Sequence, residues 1–220
     1  MNRLITFGCS NTFGEALSDT IKFDNNKKFY DETTPSKFAW PQVLANDLNL
    51  KCCNLAQPGC SNKFICNKVL NTEFKNTDIV VIMWTFFSRF CFFQDDGSQK
   101  RIMIQDVTNR NISKDRVIYN SVFYKTFYTD YDLVNDSFLR INHIKMYLDN
   151  LNIRNFHFTC HNKNNYNDLD IDKKIPSWNK VDLIKIRFTD DVADDKMHPG
   201  VLSHISTAKK IKNILDKNLD

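Results

Sequence analysis

The run Asp-Ile-Val-Val-Ile-Met-Trp at residues 78–84 constrains the fold more than any other stretch of this chain. Alternate side chains of a strand point to opposite faces, and here both alternating sets are apolar. A strand covered on both faces belongs to a sheet with helices above and below it, which is the setting of a parallel sheet. The rest of the chain supplies matching pieces. Residues 3–7, 51–55, 154–159 and 183–188 read as further strands. Residues 37–48, 61–70, 134–151 and about 199–217 read as helices from apolar residues recurring at helical spacing, with Pro41 in a first turn, where its missing N–H costs little. Strands alternating with helices predict an α/β sandwich around a mainly parallel five-stranded sheet, formed as a single domain over residues 1–220. An aromatic-rich insertion at about 86–132 follows the third strand. Within it, residues 101–107 suggest a strand and 117–131 the start of a helix, and residues 162–174 read as a polar loop.

In sheets of this kind ligands sit at the carboxyl ends of the strands. Four segments would converge there: Gly-Cys-Ser-Asn-Thr-Phe-Gly at 8–14, Asn-Leu-Ala-Gln-Pro-Gly-Cys-Ser-Asn at 54–62, Trp-Thr-Phe-Phe-Ser-Arg-Phe at 84–90 and Asp-Asp-Lys-Met-His-Pro-Gly at 194–200. Ser10 stands in a glycine-flanked bend straight after the first strand. The backbone N–H of Gly59 is unobstructed, because glycine has no side chain. Asp195 and His198 are three residues apart on a turn, so the carboxylate can curl back to Nδ1–H and leave Nε2 facing a serine. This is the nucleophile, base and orienter arrangement of acyl transfer. Asp190, Asp191 and Asp194 are neighbouring alternatives for the orienter.

These segments resemble the motif blocks of the SGNH, or GDSL-type, hydrolases. Ile-Thr-Phe-Gly-Cys-Ser is similar to the first block, which usually reads Gly-Asp-Ser; residues 54–62 are similar to the second, and Asp-Lys-Met-His to the last. The resemblance implies a flavodoxin-like three-layer sandwich, with Ser10 as nucleophile, His198 as base and Asp195 as orienter. It makes the N–H groups of Ser10 and Gly59 oxyanion donors. Two departures stand out. Cys9 replaces the aspartate before the serine, and the third block lacks the asparagine whose side chain completes the oxyanion hole. The hydroxyl of Thr85 or Ser88 is the expected substitute. Asn62, Trp84 and Arg89 are candidate substrate contacts, with Asn62 also read as a helix-start or loop-pinning residue. The implied activity is a serine esterase or O-deacetylase acting on a small acyl ester or a glycan ester, with no cofactor. An O-acyltransferase using the same acyl-enzyme, or a non-catalytic carbohydrate-binding or assembly protein on the same fold, are the alternatives.

Other function classes find little support. The formal charge of +4 comes from scattered lysines rather than a basic stripe, which argues against a nucleic-acid partner. His157, His161 and His204 have no carboxylates or cysteines at metal-ligand spacing, so no metal is expected. The seven cysteines form neither a disulfide framework nor a zinc motif and read as reduced thiols. With no signal-peptide pattern and no run long enough for a membrane span, a cytoplasmic location and no membrane partner are expected.

Overall fold

The computed structural model describes residues 2–24, 27–103, 113–160 and 183–217. In chain order it contains β1 (Arg3–Phe7), α1 (Ser10–Phe13), β2 (Ile21–Asp24), β3 (Lys27–Tyr30), α2 (Trp40–Asp47), β4 (Lys51–Asn54), α3 (Asn62–Leu70) and β5 (Ile79–Trp84). There follow β6 (Phe90–Phe93), β7 (Gln99–Ile102), α4 (Lys114–Thr126), α5 (Asp130–Asn150), β8 (Arg154–Thr159), β9 (Ile184–Lys185) and α6 (Val201–Asp216).

The central sheet has five strands in the order β4-β1-β5-β8-β9, and every neighbouring pair is parallel. The two-faced run does what its composition requires. Val80, Ile82 and Trp84 join the layer of α3 and α5, packing with Ile65, Val69, Ile141 and Leu148. Val81 and Met83 face the other way, into the layer of α2 and α6 with Trp40, Leu44, Ile211 and Leu215. The result is a three-layer α/β sandwich, with the turns after β1, β4 and β5 at one edge. At the opposite edge Arg3 grips the buried Asp78 carboxylate through Nε at 2.9 Å and Nη2 at 2.6 Å, fastening β1 to β5.

Several boundaries differ from the sequence reading. α5 starts at Asp130 rather than 134, because the Thr129 side chain accepts from Asp132 N and caps a helix that apolar spacing alone starts later. α6 starts at Val201, since Pro199 is drawn into a bridge with Val192 and Gly200 becomes the N-cap. The last strand keeps only Ile184–Lys185 in register. In the insertion, β6 and β7 form an antiparallel hairpin, and a complete helix, α4, follows. Residues 104–107 of the expected strand, the polar stretch 162–174 and His161 lie outside the described residues. The β2–β3 hairpin has no sequence forerunner. Most of its residues are exposed, so it shows no apolar face for a periodicity argument to find.

Candidate active site

β1 delivers the chain to the site edge at Gly8. A Cβ there would lie 2.1 Å from Thr12 Oγ1 and 3.2 Å from the Met83 carbonyl, so the tight turn needs glycine. Cys9 is then the N-cap of α1, its carbonyl accepting from Thr12 N and Phe13 N at 2.9 Å each, and Gly14 closes the short helix at φ 83°. Ser10, the first helical residue, is 4% exposed, and its hydroxyl has no hydrogen-bond partner among the described residues. The second turn is tied to the same place. Gln57 N donates to the Gly8 carbonyl at 3.0 Å and Cys60 Sγ to the same oxygen at 3.2 Å, which sets Gly59 beside the serine turn.

The fourth segment brings Asp195 and His198 together. Asp195 Oδ1 accepts from Met197 N and His198 N at 3.0 Å each, and Oδ2 lies 2.5 Å from His198 Nδ1. Burial pushes this carboxyl up, but those donors outweigh it and hold it below the usual range. With an ionised acceptor on Nδ1, that nitrogen carries the proton and Nε2 is left as the base position. Two of the neighbouring aspartates are engaged elsewhere. Asp191 caps α6 by accepting from Leu202 N and Ser203 N, and Asp194 is held by Lys28 and by Tyr30 Oη at 2.9 Å from the β2–β3 hairpin.

His198 Nε2 and the Ser10 hydroxyl are not hydrogen-bonded to each other. Nε2 instead stands 3.4 Å from Glu15 Oε2, a residue the sequence reading did not single out. Its own burial raises the Glu15 carboxyl, helped by Glu32, Asp195 and Cys9 and opposed by His198. Nothing in the local sequence marks Glu15, which follows directly on the αL residue Gly14 that ends α1. A cavity of about 400 Å³ opens beside the pair, lined by Asn11, Cys160, Arg187, Phe188, Met197 and His198 among others.

The third segment departs most from expectation. Thr85 is fully buried, and its hydroxyl accepts from Arg89 Nη1 at 3.2 Å rather than facing the serine. The cause is Asn62, which is 1% exposed: its Oδ1 accepts from Thr85 N at 2.9 Å, and its Nδ2 donates to Thr85 O and Ser137 Oγ at 3.2 Å each. Asn62 thus pins the loop from within and is not placed to touch a substrate. Trp84 is also withdrawn, fully buried with Nε1 donating to His157 Nδ1 at 3.0 Å, because as the last β5 residue it faces the α3–α5 layer. Ser88 is half-buried in a turn, its carbonyl accepting from Tyr124 Oη at 2.6 Å, and its hydroxyl bonds no described residue.

Arg89 lies over the Phe86 ring at 4.9 Å, with Nε buried and without a partner among the described residues. Its charge falls on Cys9, beneath the serine turn. There the hydrogen bond with Cys160 holds the Cys9 thiol low against its burial, with Arg89 and Thr85 acting in the same sense. Among the described residues no cluster of His, Cys, Asp and Glu could hold a metal ion, and no helix is long and apolar enough to cross a membrane.

No protein-family model matches the sequence, and no curated protein matches it. Solved structures do match its fold. A carbohydrate esterase whose active site is described as displaying divergent catalytic and non-catalytic binding functions superposes with a TM-score of 0.57 at 13% identity, over 98% of this chain and 65% of that one. An acetyl xylan esterase (Est2A) from the rumen bacterium Butyrivibrio proteoclasticus gives 0.56 at 15% identity, over 99% of this chain and 64% of its own. A family two carbohydrate esterase from Clostridium thermocellum, in complex with cellohexaose, gives 0.56 at 12% identity, again over 99% and 64%. The chain thus spans just under two thirds of the length of these structures. The likeness is one of architecture: the chain shares the α/β sandwich of these solved structures.

Proposed function

We propose that the chain is a serine esterase or O-deacetylase that removes acyl groups from a carbohydrate ester. The observation that carries this reading is the Asp195–His198 pair, held by three hydrogen bonds at the same sheet edge as the glycine-flanked Ser10. Ser10 Oγ attacks the ester carbonyl as His198 Nε2 takes its proton. Asp195 keeps the tautomer and stabilises the imidazolium. The N–H groups of Ser10 and Gly59 meet the developing oxyanion. The imidazolium then protonates the departing sugar oxygen, which leaves as the alcohol, and water, activated by the same nitrogen, hydrolyses the acyl-enzyme. A sugar hydroxyl in place of that water would make the protein an O-acyltransferase. The carbohydrate part of the reading draws on the solved structures above, which are carbohydrate esterases, one of them in complex with cellohexaose.

Binding without catalysis is favoured by one observation, the contact of Nε2 with Glu15 instead of Ser10. Catalytic hydrogen bonds are often long before substrate binds, so this contact does not outweigh the pair. A fluorophosphonate probe tests the two readings. An adduct on Ser10 that disappears in Ser10→Ala, together with acetate release from acetylated xylan, is the expected result. A folded protein that takes no label and releases no acetate, yet binds the glycan, would establish the binding role instead.

A further inference from the structure

His198 meets two carboxylates rather than one. Asp195 holds Nδ1, and Glu15 Oε2 stands 3.4 Å from Nε2, the atom that must take the serine proton. We propose that Glu15 is a further catalytic residue: in the free enzyme it shares one proton with His198 Nε2, and the base becomes available when that proton leaves. This inference rests on the esterase reading above.

The backbone holds Glu15 between the two halves of the site. Its N–H donates to the Ser10 carbonyl at 3.2 Å, and the carbonyl of the next residue, Ala16, accepts from Asp194 N at 3.4 Å. One bond ties this segment to the serine helix and the other to the turn that carries Asp195 and His198. Gly14 and Ala16, on either side of Glu15, both have positive φ, 83° and 65°. Left-handed backbone is costly for a residue with a Cβ and persists only where the surroundings impose it. Here Ala16 is buried and packed with Leu17, Ala39 and Ala193.

With the Nδ1 proton directed at Asp195, a neutral imidazole presents a lone pair at Nε2. An ionised Glu15 presents another at Oε2, and two facing acceptors repel. One proton, on either atom, turns that repulsion into attraction, so the two groups bind it jointly and titrate as a pair. The surroundings favour keeping it. Burial raises the Glu15 carboxyl, Glu32, Asp195 and Cys9 add to the effect, and His198 opposes it. The other charged groups around the pair have partners of their own. Glu32 meets Arg101 at 3.4 Å, Asp194 is held by Lys28 and Tyr30, and Asp191 caps α6. From α6, His204 also feels both Asp191 and His198.

When the shared proton passes to water, the two lone pairs repel and the carboxylate turns off Nε2. Both side chains are 19% exposed, and the cavity beside His198 gives water a route. Nε2 then accepts the Ser10 hydroxyl proton as the Oγ–carbon bond forms. Glu15 forms no bond to the substrate; it moves only a proton, from the pair to solvent.

The test follows the rate of Ser10 labelling by a fluorophosphonate from about pH 5 to 9 in wild type, Glu15→Ala and Glu15→Gln. NMR of the His198 ring Cε1 over the same range reads the titration itself. Without the carboxylate the proton is released more readily. In Glu15→Ala both midpoints should therefore fall by about one unit, giving about tenfold faster labelling on the acid side of the profile. Glu15→Gln keeps the shape and removes the charge, so it should lower the midpoints in the same way, which lost packing alone would not do. If Glu15→Ala does not fold, Glu15→Gln decides. Labelling of Ser10 with midpoints within about 0.3 unit of wild type overturns the inference and leaves the esterase reading intact. Ser10 unlabelled in every protein at every pH overturns the esterase reading, and the role of Glu15 with it.

Discussion

Lowering the pH from 7 to 4.5 removes stability through two buried histidines, His157 and His204. His157 is 7% exposed; its Nδ1 accepts from Trp84 Nε1 at 3.0 Å, and its Nε2 is 2.8 Å from Asn155 Oδ1. His204 is fully buried, and its Nδ1 accepts from the Trp40 N–H at 3.1 Å. In both rings a second proton must go onto Nδ1, where an N–H donor already points. Burial accordingly lowers both to about 4. The unfolded chain titrates them near pH 6.5, so between those values it binds more protons than the native protein. Their contribution is complete above about pH 6.5 and is lost as pH falls towards 4. At pH 4.5 each histidine has given up about 2 to 3 kcal/mol, about 5 kcal/mol together, a large share of the stability of a typical domain. The depressed carboxyls of Asp78, Asp191 and Asp195 act lower. Their contribution is present above the unfolded value near 3.9 and is lost as pH falls below it, so the two effects separate. Urea midpoints measured at pH 7.0, 5.5 and 4.5 at constant ionic strength read the loss directly. His157→Gln should remove roughly half of the slope. A midpoint that is the same at pH 4.5 as at pH 7, or that falls only below pH 4, would refute the reasoning.

Asp195→Asn keeps an oxygen for the Met197 and His198 N–H groups but presents an amide N–H to Nδ1, forcing the proton onto Nε2. Initial rates on an aryl acetate should fall by about 10⁴-fold while the urea midpoint changes little; a loss under tenfold would remove Asp195 from the orienting role. Asn62→Ala leaves the backbone N–H and C=O of Thr85 buried without their partners, so a destabilisation of about 2 to 4 kcal/mol is expected by urea titration. An unchanged midpoint would show that the side chain does not hold the third loop.

The layers of this protein were legible because they follow from short-range chemistry. The two-faced apolar run at β5, the helical stripes and the proline of α2 each state their own environment, and the parallel sheet follows from their alternation. The turns that lead to Ser10, Gly59, Asp195 and His198 were legible for the same reason: the composition of each is local. The third loop was not legible. Thr85, Asn62 and Trp84 all stand where a site residue belongs, yet Asn62 clamps the backbone of Thr85 from the start of α3, and Trp84 answers to His157 on the neighbouring strand.

What the sequence determined by itself is the sandwich, the edge on which turns gather, and the pairing of Asp195 with His198, because a carboxylate three residues before an imidazole meets it within one turn. Only the tertiary structure decided which polar side chains face that edge. Glu15 reaches Nε2, Arg101 lies on Gly59 through a hairpin some forty residues later, and Asp194 is claimed by an exposed hairpin that no periodicity announces. Those contacts join segments far apart in the chain, and their geometry depends on how whole elements pack, which no local pattern of residues encodes.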